Sequence, residues 1–86
     1  MKKIEIYTTM FCPFCSRAKK LLNNKGVDYK EIDVTVDGEL REEMTRRANG
    51  AYTVPQIFVD GDHIGDSDQI HMLDAKGKLD HILGIN

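Results

Sequence analysis

The sequence predicts an α/β domain with elements in the order β-α-β, then α, then β-β-α. Three observations carry that prediction. Short runs rich in Ile and Val alternate with longer stretches whose apolar residues recur at helical spacing. Asp60-Gly61 stands between two of the short runs, where it marks a tight hairpin. A Gly or an Asn-Gly pair follows the helical stretches, where a helix needs a residue tolerant of positive φ to stop.

Taken in order, Lys3 to Thr8 reads as a strand with Ile4 and Ile6 on one face and Lys3 and Glu5 on the other. From Pro13 to Lys25, Ala18, Leu21 and Leu22 form an apolar stripe, while Arg17, Lys19, Lys20, Asn23 and Asn24 form the solvated side; Gly26 stops the helix. Tyr29 to Val34 is a second strand, and a helix joining two strands makes a parallel βαβ unit the default. A second helix is expected from Gly38 to Asn49, with Glu39, Glu42 and Glu43 early, Arg46 and Arg47 late, and Leu40, Met44 and Ala48 as its apolar stripe. Gln56 to Val59 and Asp62 to Gly65 are the hairpin strands. Ser67 is the expected N-cap of a third helix that buries Ile70 and Leu73 and stops at Gly77; Leu79, Ile82 and Leu83 form a last short turn.

The chain has 86 residues, 41% of them hydrophobic and 30% charged, which is one domain spanning residues 1–86. Two cores would leave each half too little apolar surface to offset the entropy of ordering it. The net charge of -2 offers no general attraction to phosphate backbones or anionic lipid, so neither nucleic acid nor a membrane is an expected partner. Glu5 interrupts what would have to be the apolar run of a signal peptide after Lys2 and Lys3, and no segment approaches the length of a membrane span. The expectation is a cytoplasmic protein that acts as a monomer.

The only two cysteines are Cys12 and Cys15. A bridge between residues so close restricts the unfolded chain little, so the pair is a weak staple; in a reducing compartment this spacing points to redox chemistry or metal binding. Cys12-Pro13-Phe14-Cys15 lies where a strand ends and a helix begins. Unpaired N–H groups and the positive end of the helix dipole favour the thiolate of Cys12 there, and Pro13 fits the first helical position, where its missing N–H costs nothing. Cys15, about one turn on, can reach Cys12 but not easily a substrate, which makes it the resolving thiol. A zinc site would need two further ligands, but His63, His71 and His81 are spaced eight and ten residues apart and match no common ligand pair. No metal is therefore expected.

With Cys12-Pro13-Phe14-Cys15 after a strand, Thr53-Val54-Pro55 before a hairpin, and the Gly65 to Asp68 turn, the chain resembles the bacterial dithiol glutaredoxins over nearly its full length. The resemblance implies a thioredoxin-like fold, a four-stranded mixed sheet flanked by three to four helices. It also implies a cis bond before Pro55, facing the cysteine loop. The residues alone leave Pro55 as a trans proline opening an edge strand, since only about 5–6% of X-Pro bonds in folded proteins are cis.

The function implied is glutathione-dependent thiol-disulfide oxidoreduction, acting on protein disulfides and glutathionylated proteins, with glutathione as the electron-donating cosubstrate and no tightly bound cofactor. By the same resemblance Cys12 and Cys15 are catalytic, supported by Pro13, Phe14 and Pro55, and glutathione is held by Phe14, Thr53, Val54, Pro55, Ser67 and Asp68. The N–H groups of Ser67 and Asp68 would hold its γ-glutamyl carboxylate, and the Asp68 side chain would meet its amino group. Arg46 is a candidate for the glycine carboxylate, or equally a solvated helix charge. Three positions depart from the usual pattern. Phe14 stands where tyrosine is more usual, Thr9 where many relatives have lysine, and Gly65-Asp66 where Gly-Gly is common; Asp tolerates the left-handed region better than most non-glycine residues, so the turn is expected to survive. Two alternatives stay open: a redoxin fed by a thioredoxin reductase, and an iron–sulfur cluster carrier using Cys12 and glutathione, against which Pro13 and Cys15 argue.

Overall fold

The computed structural model describes residues 2–85. Its elements are β1 (Ile4–Thr8), α1 (Pro13–Asn24), β2 (Lys30–Asp33), α2 (Gly38–Arg47), β3 (Gln56–Val59), β4 (Asp62–Gly65), α3 (Ser67–Ala75) and α4 (Leu79–Leu83). The sheet runs β2-β1-β3-β4, with β1 parallel to β2 and antiparallel to β3, and β3 antiparallel to β4. This is the expected four-stranded mixed sheet. Asp60 and Gly61 both take positive φ, +51° and +85°, as a two-residue turn matched to strand twist requires. Among the described residues, no helix is long and apolar enough to cross a membrane.

Two clusters fill the two faces of the sheet. Ile4, Ile6, Ile57 and Val59 meet Ala18 and Leu22 of α1, Ile70 of α3 and Leu79 and Leu83 of α4. On the other face Tyr7, Val34 and Phe58 meet Met44 of α2 and Ala48 at its C-terminal end. Truncating a fully buried residue such as Leu22 to Ala is expected to cost about 2–5 kcal/mol.

Glu5, on the face opposite Ile4 and Ile6, is only 7% exposed, because β1 is a central strand and α2 closes over it. Its charge is met by Arg47 of α2, whose guanidinium donates to Glu5 Oε1 at 2.9 Å and to the Tyr7 hydroxyl at 2.6 Å while lying 4.3 Å from the Phe58 ring centroid. The Arg47 hydrogen bond outweighs the penalty of burial and holds the Glu5 carboxyl below its ordinary value.

Two helix boundaries differ from expectation. α2 ends at Arg47 rather than Asn49, with Ala48 as its cap and Asn49 and Gly50 both at positive φ. The N-cap of α3 is Asp66, not Ser67. Asp66 is extended, with φ -99° and ψ -168°, so the turn makes no use of aspartate's tolerance of the left-handed region. Its carboxylate accepts the Gln69 N–H at 3.0 Å and the Gln69 side chain accepts the Asp66 N–H at 2.8 Å, a reciprocal capping box. Gly65 carries the positive φ instead, +127°, and a Cβ there would run into the Gln69 side chain.

Candidate active site

The chain leaves β1 through Thr9, Met10 and Phe11 and enters α1 at Cys12. Phe11 has φ +56°, uncommon for a bulky residue, and its side chain is almost wholly exposed. The loop is tied to the end of β2: the Met10 N–H donates to Thr35 Oγ1 at 2.8 Å, and the Thr35 N–H donates to Asp33 Oδ1 at 2.7 Å.

Cys12 is the N-cap of α1. Its backbone is extended, Pro13 follows in the first turn, and its Sγ accepts the Cys15 N–H at 3.1 Å. Sulfur thus holds the position usually taken by a Ser, Thr or Asp oxygen, pointing at the unpaired N–H groups of the first turn. Both thiols are free, Cys12 partly accessible and Cys15 buried. Burial, and secondly the hydrogen bond with Cys12, push the Cys15 thiol up to about 12.

The Val54–Pro55 bond is cis, and the Val54 carbonyl lies 3.9 Å from Cys12 Sγ. Phe14, Thr53, Val54, Pro55, Asp66, Ser67 and Asp68 line one cavity of about 280 Å³. Every residue assigned to the binding groove from sequence is therefore in it, from three separate segments, with Phe14 half-exposed at its edge. Asp66 joins them. Arg46 does not: it lines a separate cavity with Arg41, Glu42, Thr45 and Tyr52, where Arg41 donates to the Tyr52 carbonyl at 3.0 Å.

Two residues behind the groove escaped the sequence reading. The buried Gln56 donates through Nε2 to the Thr53 carbonyl at 2.9 Å and to Thr53 Oγ1 at 3.3 Å, so its Oε1 is left to accept from His63 Nε2 at 2.6 Å. Burial holds the His63 imidazole below its ordinary value, partly offset by Asp66, which favours the neutral ring donating from Nε2. This chain fixes the loop ahead of Pro55 from behind. A polar residue opening an otherwise apolar strand run, Gln56-Ile57-Phe58-Val59, was the available signal.

A dithiol at a helix N-terminus beside a cis-proline loop, on a sheet of this order, defines a redox protein of thioredoxin-like fold. The glutaredoxin family profile matches residues 4–64. A probable glutaredoxin of Synechocystis sp. is 54% identical over 81 residues, covering 94% of this chain and 92% of that protein. Glutaredoxin 3 of Escherichia coli is 49% identical over 83 residues, covering 96% and 99%. The crystal structure of a buckwheat glutaredoxin–glutathione complex superposes with a TM-score of 0.86 at 28% identity, covering 96% of this chain and 77% of that one. The chain belongs to the glutaredoxin family, and with that membership goes thiol-disulfide oxidoreductase activity.

Proposed function

We propose that the protein is a glutathione-dependent oxidoreductase that reduces protein disulfides and glutathione mixed disulfides in a reducing compartment such as the cytoplasm. The observation that carries this reading is the shared cavity: the cis-proline loop, Phe14 and the start of α3 line a single groove, and the Val54 carbonyl reaches back to Cys12. The buckwheat relative, solved with glutathione, supports the same ligand.

In this reading the backbone of Val54 pairs with the cysteinyl residue of glutathione as a strand would. The N–H groups of Ser67 and Asp68 donate to the γ-glutamyl carboxylate; the capping box occupies the Gln69 N–H and leaves those two donors free. The Asp68 carboxylate meets the amino group, and Phe14 flanks the ligand. Asp66 adds negative charge to this groove.

The Cys12 thiolate attacks the glutathione sulfur of a glutathionylated protein. A Cys12–glutathione disulfide forms, and the protein sulfur leaves with the electron pair and takes a proton. A second glutathione thiolate then attacks the bound glutathione sulfur, giving glutathione disulfide and restoring Cys12. With a protein disulfide, Cys12 forms a mixed disulfide with one sulfur and frees the other as a thiol. Cys15 then attacks Cys12 Sγ and releases the second, and two glutathione molecules reduce the resulting Cys12–Cys15 disulfide. The first route needs one cysteine, the second both.

Turnover of a small glutathione mixed disulfide and of a protein disulfide, followed in both single-cysteine variants, tests the assignment. Cys12→Ser is expected to lose both activities, and Cys15→Ser to keep the first and lose the second. A Cys12→Ser protein with normal turnover of the glutathione substrate ends the proposal. Thr9 and Asp66 weaken the lean towards glutathione and leave a second reading, a redoxin fed by a thioredoxin reductase. Comparing reduction by glutathione with reduction by reductase and NADPH separates the two.

A further inference from the structure

The dithiol route sets a problem that the groove does not solve. Cys15 must attack as a thiolate, yet it is only 1% exposed and its thiol is pushed up to about 12. Such a group is almost entirely un-ionised at neutral pH. Two of the influences opposing ionisation come from Cys12 itself, through their hydrogen bond and through its charge. Both are altered once Cys12 is tied up as a neutral mixed disulfide. Burial then remains to be overcome.

A second cavity, of about 510 Å³, opens beside the cysteine pair on the β2 side of β1, whereas the groove lies on the β3 side. Cys12, Cys15, Lys19, Glu31 and Asp33 are among the residues that line it. Lys19 lies four residues after Cys15 on α1, hence on the same helix face one turn on, and long helical side chains lean towards the N-terminus, here towards Cys15. Its ammonium is held in place from the sheet. Lys19 Nζ pairs with Glu31 Oε2 at 3.0 Å, and the same oxygen accepts the Thr8 hydroxyl at 2.8 Å.

We infer that Lys19, clamped by Glu31, is the cation that supports ionisation of Cys15 when it attacks the Cys12 mixed disulfide. The inference rests on the dithiol reading above. In the step, Cys15 gives its proton to solvent through the open cavity and the Cys15–Cys12 bond forms. The bond from Cys12 to the target sulfur breaks, and that sulfur leaves with the electron pair and is protonated. The Glu31 carboxylate raises the proton affinity of the Lys19 ammonium, so the cation persists throughout the pH range of the reaction. The other ionisable groups on this cavity are Cys12, the N-cap of α1, and Glu31 and Asp33 from β2; Thr9, just after β1, adds none.

The test uses the Cys12–glutathione mixed disulfide, prepared in acid, jumped to a series of higher pH values and quenched to follow glutathione release. Wild type, Cys15→Ser, Lys19→Met and Lys19→Arg are compared. Because Lys19 and Glu31 are partly exposed, with side chains 31% and 40% accessible, solvent screens the effect. Lys19→Met is expected to slow release about three- to tenfold and to move the pH profile up by roughly half to one unit. Lys19→Arg is expected to restore most of the rate, and the deficit of Lys19→Met to shrink near 1 M salt, where the screening length is about 3 Å. Wild-type release by Lys19→Met, an equal deficit in Lys19→Arg, or a deficit indifferent to salt overturns the inference. If wild type itself releases no faster than Cys15→Ser, the dithiol reading fails and takes the inference with it.

Discussion

Replacing Arg47 with Met removes the cation beneath the sheet while keeping most of its apolar stem. Three contacts go at once: the 2.9 Å bond to Glu5, the 2.6 Å bond to the Tyr7 hydroxyl, and the stacking 4.3 Å above Phe58. The Glu5 side chain, 9% exposed, is left charged without its partner. Orphaning one member of a fully buried pair costs about 3–5 kcal/mol. The Arg47 side is 26% open to water, which relieves part of this, so about 2–3 kcal/mol is expected. In a domain of this size that lowers Tm by roughly 10–20 °C.

The sign of the pH dependence follows from Glu5. Its folded value lies below the ordinary 4.5, so the stability it contributes is complete above 4.5 and is lost as pH falls through the folded value. In the variant, burial acts without Arg47 to oppose it, and protonation relieves the orphaned charge. Urea unfolding followed by circular dichroism, near neutrality and well into acid, measures both effects. A loss under about 1 kcal/mol near neutrality, or a difference that persists undiminished in acid, refutes the reasoning.

Gln56→Leu leaves the Thr53 carbonyl and His63 Nε2 without their partner, which is expected to cost about 1–3 kcal/mol; because the Thr53 loop loosens, KM for a glutathione mixed disulfide is expected to rise more than kcat falls. His63, held below its ordinary 6.5 by burial, contributes stability that is complete above 6.5 and is lost as pH falls towards its folded value, so stability is expected to decline on mild acidification and this limb to vanish in His63→Phe, as unfolding curves would record. Asp66→Gly removes a charge from the groove and is expected to strengthen glutathione binding measured by calorimetry, at a stability loss of only a few tenths of a kcal/mol, because Gly is itself a tolerated N-cap. Gly65→Ala places a Cβ at φ +127° against the Gln69 side chain and is expected to cost at least about 1–3 kcal/mol in thermal unfolding.

What the sequence made legible was local or chemically singular. Asp60-Gly61 declares its turn because few residues accept two consecutive positive φ values, and a cysteine pair separated by Pro-Phe at a strand-to-helix junction has few uses. The burial of Glu5 was not legible, for the opposite reason. Alternation marks a face as wet only if nothing covers it, and whether α2 crosses to that face is settled by chain topology rather than by β1. Asp66 is a different failure, since Asp66-Ser67-Asp68-Gln69 carries the spacing of a capping box in plain view. Ser67 drew the assignment because serine is an equally good cap, and local preference cannot choose between neighbours. Gln56 and His63 find each other only across the β3–β4 pairing, a contact that exists once the hairpin has formed. Lys19 and Glu31 meet likewise only when β2 lies parallel to β1.

A sulfur atom serving as a helix cap binds the redox state of the protein to its mechanical integrity. When Cys12 is consumed in a disulfide, its sulfur can no longer carry negative charge at the mouth of α1. The reduced molecule is then expected to outlast the oxidised one under heat. By the closure of a thermodynamic cycle, whatever sturdiness reduction confers reappears as appetite for electrons in the oxidised form.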